Sequence, residues 1–226
     1  MSGSIRVGIS AIAAVAALTI GLTACGSDES ESASEETTSS ETSAAPNTTE
    51  QAKPNYTIVD YIRDNKIAEE PVKRGQEGAP AINLPYPPGW RDAGPATPVW
   101  AYGAIVSENQ EWAQDPPSIV ALVSKLTGDV DPAKILEFAP GEIKNLPGYE
   151  GAQEGEKTEL AGFEAVQLGG TYNKNGQRRA IAQKTVVIPG KDALYVLQLN
   201  ADGREDQMTA LMEATSVIDE QTTITP

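Results

Sequence analysis

No histidine occurs in these 226 residues, and there is a single cysteine, Cys25. The first absence excludes Ser-His-Asp and Cys-His catalysis and the usual zinc sites. The second excludes an intramolecular disulfide, so a folded domain must be held by its core alone. Aromatic residues are only 5% of the chain, which makes that core mainly aliphatic. No G-x-S-x-G, P-loop or G-x-G-x-x-G run is present. Lysine and arginine (17) are outnumbered by aspartate and glutamate (32), for a formal net charge of -15. Apart from Lys73-Arg74 and Arg178-Arg179 the basic residues are scattered, which argues against a nucleic-acid partner. Overall charge gives an anionic lipid surface no attraction either.

What is present begins with Arg6 and the uncharged run VGISAIAAVAALTIGL, residues 7–22, the layout of an export signal. By length alone such a run is close to a membrane anchor. The cysteine decides. Leu22, Thr23, Ala24 and Cys25 resemble the lipobox of bacterial lipoproteins, in which a thiolate, a soft nucleophile, takes a diacylglyceryl group. The resemblance implies cleavage between Ala24 and Cys25 and usually an acyl chain on the new amino group. It places the protein on the extracytoplasmic face of the cell membrane, where two or three acyl chains anchor stably and one does not.

Residues 26–53 are dominated by Ser, Thr, Asp and Glu and lack the apolar surface needed to offset chain entropy. They read as an acidic tether with a mean reach of about 30 Å. Residues 54–226 are enough for one domain with its own core and contain no internal repeat.

Within that domain, Thr57 and Asp60 are spaced as a capping box for a helix presenting Ile58, Tyr61 and Ile62. VWAYGAIV (99–106) and SIVALVSKL (118–126) predict strands buried on both faces. Asp131-Pro132 opens a short helix that carries Ile135, Leu136 and Phe138 and is stopped by Pro140. Asn175-Gly176 predicts a tight hairpin, and a turn at 189–192 leads to a third strand, ALYVLQLN. From Arg204 to Ile218, the residues Met208, Leu211, Met212, Thr215 and Ile218 recur at helical intervals. The order argues for an α+β fold with helices covering an antiparallel sheet.

The lipobox, PVKRGQEGAPAINLPYPPGW (71–90), PVWAYGAIV, DPAKILEFAPGEIKNLPGY (131–149) and the terminal meander plus helix resemble the LpqN/LpqT lipoproteins of mycobacteria and their relatives. The resemblance covers nearly all of the chain beyond the tether. It implies a Mog1/PsbP-like α-β-α sandwich, a mycolic-acid envelope and no established enzymatic activity; neither catalysis nor a cofactor is expected.

Candidate sites are few. Glu154, Glu156 and Glu159 lie in polar, loop-like sequence where solvated charge outweighs a glycosidase pair. Asp129 and Asp131 lack the rest of a calcium loop, and Asp131 is better read as a helix cap; no metal site is expected. Trp100 alternates with Tyr102 and reads as core. Trp90, after PYPPG, and Trp112, in SENQEWAQDPP, sit in loops, where a large aromatic serves either as a core or cap residue or as a ligand or partner contact. Two function classes remain: a non-catalytic module that binds or chaperones a lipid or glycolipid, and an interaction protein docking on an envelope transporter or enzyme complex. If Cys25 is the lipidation site, Cys25→Ala moves the protein from the membrane fraction to the soluble fraction; retention in the membranes would overturn the lipobox reading.

Overall fold

A computed structural model of the chain describes residues 54–226. Cys25, Ala24, the export signal and the tether lie outside the described residues. The fold is α+β: an antiparallel sheet with helices on both faces.

Local chemistry starts the helices where the spacing predicts. In α1 (Ile58–Asp64) the Thr57 hydroxyl accepts from the Asp60 N–H at 3.2 Å, and the Asp60 carboxylate accepts from the Thr57 N–H at 3.0 Å. Two orphan amide groups are thereby satisfied. In α2 (Pro132–Phe138) Asp131 caps the Ala133 N–H at 2.8 Å with Pro132 in the first turn. A second short helix, α3 (Pro140–Lys144), follows directly after Ala139. The Tyr61 hydroxyl accepts from the Asp131 N–H at 3.0 Å, which ties α1 to the start of α2.

The strands are β1 (Ala68–Pro71), β2 (Ala81–Asn83), β3 (Trp90–Asp92), β4 (Gly103–Ser107), β5 (Ser118–Thr127), β6 (Glu150–Gly151), β7 (Glu156–Leu160), β8 (Phe163–Lys174), β9 (Gln177–Pro189) and β10 (Leu194–Arg204). The main sheet runs β3-β4-β5-β10-β9-β8-β6, with β1 paired to β5 and β7 to β8. Helix α4 (Met208–Gln221) crosses one face, and β11 (Thr223–Thr225) then pairs with β2. The β8–β9 turn is Asn175-Gly176, with φ of 52° and 78°, values that asparagine and glycine tolerate. A second turn of the same hand, Ala161-Gly162, joins β7 to β8.

Each face of the sheet buries its own cluster. Beneath α4 lie Ile119, Val186, Ile188, Leu197 and Leu199, packed against Leu211, Ala214 and Ile218. On the other face Val187, Leu194 and Val196 meet Ile58, Tyr61, Ile135 and Ala139. Burying each such large aliphatic side chain contributes about 1.5–3 kcal/mol. Among the described residues no helix is long and apolar enough to cross a membrane.

Five expectations are corrected. The strand expected from Val99 begins at Gly103, because a turn closed by the Ala101 N–H on the Pro98 carbonyl (2.9 Å) turns Val99 and Trp100 outward. Trp100, expected in the core, is 54% exposed, whereas Tyr102 is buried. In β5 buried and partly covered residues alternate from Ser118 to Val123, and on the second face only Leu126, near the far end, is fully buried. On α4 the inward seam is Leu211, Ala214 and Ile218, and Met212 points to solvent. Residues 156–160, read as loop, form edge strand β7. Leu197 has no exposed surface, so Leu197→Ala is expected to lower unfolding stability by about 3 kcal/mol with an unchanged urea m-value.

Candidate functional site

Pairing places Gly169, Ala182, Ala201 and Ile119 directly opposite one another in one row across β8, β9, β10 and β5. Three of the four side chains are a methyl group or less. Gln167, Lys184 and Leu199 form a parallel row one step along. Above this low floor α4 supplies Met208, Leu211, Met212, Thr215, Ile218 and Asp219. The helix cannot reach down to such small side chains, and a trough opens along its flank. It consists of two cavities of about 240 and 290 Å³ that share Gly169, Ala182, Ala201 and Thr215. Small-molecule sites occupy roughly 300–1,000 Å³, so the joined cavities are of ligand size.

The trough has one apolar end, by Met208 and Met212, and one polar end. At the polar end the Lys184 ammonium, 9% exposed, lies 2.7 Å from Asp219 Oδ1. The Gln167 side-chain amide donates to Glu156 Oε2 at 2.9 Å, and Glu154 lies on the rim. Lys184 is therefore neutralised, and what faces the cavity is a set of amide and carboxylate groups suited to hydroxyl donors.

On the opposite flank of α4 the structure brings Trp90 and Trp112 together, in a cleft of about 540 Å³ that also includes Pro87, Glu108, Ala210 and Glu213. Trp90 is only 8% exposed and belongs to the core under α4, while Trp112 is half-buried. Trp90 thus serves first as packing.

The loop carrying Trp112 is fastened through Asp115. Arg179, 8% exposed, donates to Asp115 Oδ2 at 2.7 Å and to Asp202 Oδ1 at 2.6 Å. Gln207 donates to the Asp115 carbonyl at 2.9 Å, and Tyr172 to Asp202 Oδ2 at 2.5 Å. Burial works to lower the guanidinium pKa of Arg179, but its hydrogen bonds to Asp202 and Asp115 outweigh it and the pKa is raised. Burial first, and then the bond to Asp202, push the Tyr172 hydroxyl up to about 12. On the other face of the sheet Glu142 accepts from Gln183 and Gln198 at 3.0 and 2.9 Å, holding α3 down by polar bonds. Among the described residues no three His, Cys, Asp or Glu side chains come together as a metal cluster.

The family model for probable lipoprotein LpqN matches residues 54–225, the whole span that builds the sheet, the trough and the cleft. The chain belongs to the LpqN family. It is 58% identical over 175 residues to Lipoprotein LpqN of Mycobacterium tuberculosis (strain ATCC 25618 / H37Rv), covering 77% of this chain and 76% of that one. The crystal structure of M. tuberculosis LpqN, a protein described as involved in cell envelope biogenesis, matches with a TM-score of 0.74 at 58% identity. The match covers 77% of this chain and all of the crystallised one.

Sequence reasoning missed the trough residues Gly169, Ala182, Lys184, Gln167 and Asp219, and took Glu156 as a solvated loop charge. The available signal was alanine at every second position, Ala180 and Ala182, in an otherwise bulky strand. Tyr172 generates a pH prediction. An unfolded tyrosine ionises near 10, so between pH about 10 and about 12 the unfolded chain loses this proton first and stability falls as pH rises. Tyr172→Phe is expected to remove roughly 2 kcal/mol of that alkaline loss, read as a shallower decline of urea midpoint with pH.

Proposed function

We propose that this chain is a lipid-anchored envelope lipoprotein whose domain holds a lipid or glycolipid, without turnover, in the trough beside α4. The observation that carries the reading is the join of an apolar floor, Gly169, Ala180, Ala182 and Ala201, to a polar end made by Gln167, Glu156, Lys184 and Asp219. An amphiphile needs both: apolar surface for the chain, and hydrogen-bond acceptors for a hydroxyl-bearing head. The methionines at the apolar end suit chains of varied shape, because a thioether side chain adapts its rotamers. Met212, 65% exposed, would be covered by such a ligand. Anchoring through Cys25 on the extracytoplasmic face of the cell membrane accords with the lipoprotein family, and the envelope setting of M. tuberculosis LpqN supports a role in building or maintaining the envelope.

The test is native mass spectrometry of residues 54–226, exported from a mycobacterial host and purified without detergent. A reproducible adduct that fragments as a lipid or glycolipid is expected. A Cβ on Gly169 meets nothing closer than 3.4 Å, and the backbone there is not left-handed, so Gly169→Trp can fill the trough while the strand stays intact. That variant is expected to lose the adduct at least tenfold with a melting temperature within a few degrees of the parent, whereas Trp112→Ala retains it. A bare polypeptide mass would overturn the reading and direct the search to envelope protein partners by crosslinking.

A further inference from the structure

Among the described residues, four charged side chains line the trough, all at its polar end: Lys184, Asp219, Glu154 and Glu156. One positive charge therefore faces three negative ones. Lys184 stands on β9 in the row with Gln167 and Leu199, and its ammonium, 9% exposed, lies 2.7 Å from Asp219 Oδ1. Asp219, Glu154 and Glu156 are exposed around it. Of these carboxylates Glu156 is also engaged by the Gln167 amide, at 2.9 Å. Beyond the apolar end, two residues before Ala180 on β9, comes Arg178, and it is paired with Glu150 and Glu205. Neither cation is free.

Alone at the end of an apolar trough, a lysine would receive a phosphate or carboxylate head as a point charge. Asp219 takes that place from within the chain. An incoming anion must then displace a paired carboxylate and come close to two more. At such short range the repulsion is felt, because it acts within the screening length of about 8 Å at physiological ionic strength. A head of neutral hydroxyls meets no such barrier and finds acceptors in the same carboxylates.

We propose that Asp219 is a specificity determinant: by cancelling Lys184 it closes the trough to amphiphiles with phosphate or carboxylate heads and leaves it open to heads that carry hydroxyls and no negative charge. Rejection of the wrong ligand discriminates without any new contact to the right one. The device suits its setting, since a domain anchored to a bilayer is surrounded by phosphate-bearing lipids that would otherwise fill the trough. The inference rests on the trough being the amphiphile site proposed above.

The test is isothermal titration calorimetry of residues 54–226, whose two cores are built from those residues alone, with octyl glucoside and with octyl phosphate, each below its micelle concentration. The chains are equal, so the ratio of the two affinities reads the head. Octyl glucoside is expected to bind at least about tenfold more tightly than octyl phosphate. Asp219→Asn, which keeps the shape and removes the charge, is expected to move that ratio at least about tenfold towards the phosphate, and adding Lys184→Met restores the parental preference. Glu154→Gln, an exposed change on the rim, moves the ratio the same way by about threefold. If the ion pair serves only to tie α4 to β9, Asp219→Asn weakens both probes together and the ratio stays unchanged, which overturns the proposal. Equal binding of both probes by the parent, abolished by Gly169→Trp, overturns the selectivity and leaves the trough as the amphiphile site. Binding of neither probe overturns both.

Discussion

One helix is asked to cover one face of a wide sheet. From β4 through β5, β10 and β9 to β8 the strands span about 19 Å at 4.8 Å spacing, while a helix with its side chains is about 10 Å across. Helix α4 can seal the middle and no more. Its seam of Leu211, Ala214 and Ile218 does so. On both sides the sheet is left partly open, and each flank becomes a concavity: the Gly/Ala-floored trough towards β8, and the tryptophan cleft towards β3.

The two flanks are filled differently. Towards β3, Trp90 reaches into the core and Trp112 arrives on a loop that Asp115 fastens to Arg179 and Gln207. Burying the Arg179 charge is sustained by two carboxylates, and removal of both would leave a costly unpaired charge. Towards β8 nothing comparable arrives. The residues that would have filled the space are glycine and alanine, and a gap too open to collapse and too apolar to hydrate well favours an apolar guest. Lys184, paired with Asp219 at one end, gives that gap direction.

The opposite face is closed by three short helices in place of one long one. Part of the closure is polar, through Glu142 with Gln183 and Gln198. Such bonds fix where α3 sits without adding apolar area. The described domain is therefore covered by helices on one side and accessible on the other, an arrangement suited to presenting a site on a packed scaffold.

Features set within four or five residues were readable in advance. The Thr57–Asp60 box, the Asp131-Pro132 helix start and the Asn175-Gly176 turn depend on neighbours in the chain, and the structure has all three. Strand β7 was not readable, because Glu156–Leu160 has one apolar residue, Leu160, and so shows no alternation, and its turn uses Ala161 at positive φ, a residue that signals no turn. Trp100 was misplaced because strand propensity is silent on a turn closed across Pro98 and propped by Lys73, which lies far away in sequence. The sequence alone determined the capped helix starts, the antiparallel meander and family membership, since each rests on local pattern or on strings of residues. Only the tertiary structure decided the trough and the exposure of Trp100. The first is made of side chains that are missing from three strands at once, and register alone puts Gly169 beside Ala182 and Ala182 beside Ala201. The second depends on a turn at Pro98 whose carbonyls are held by Lys73, a residue from a separate segment.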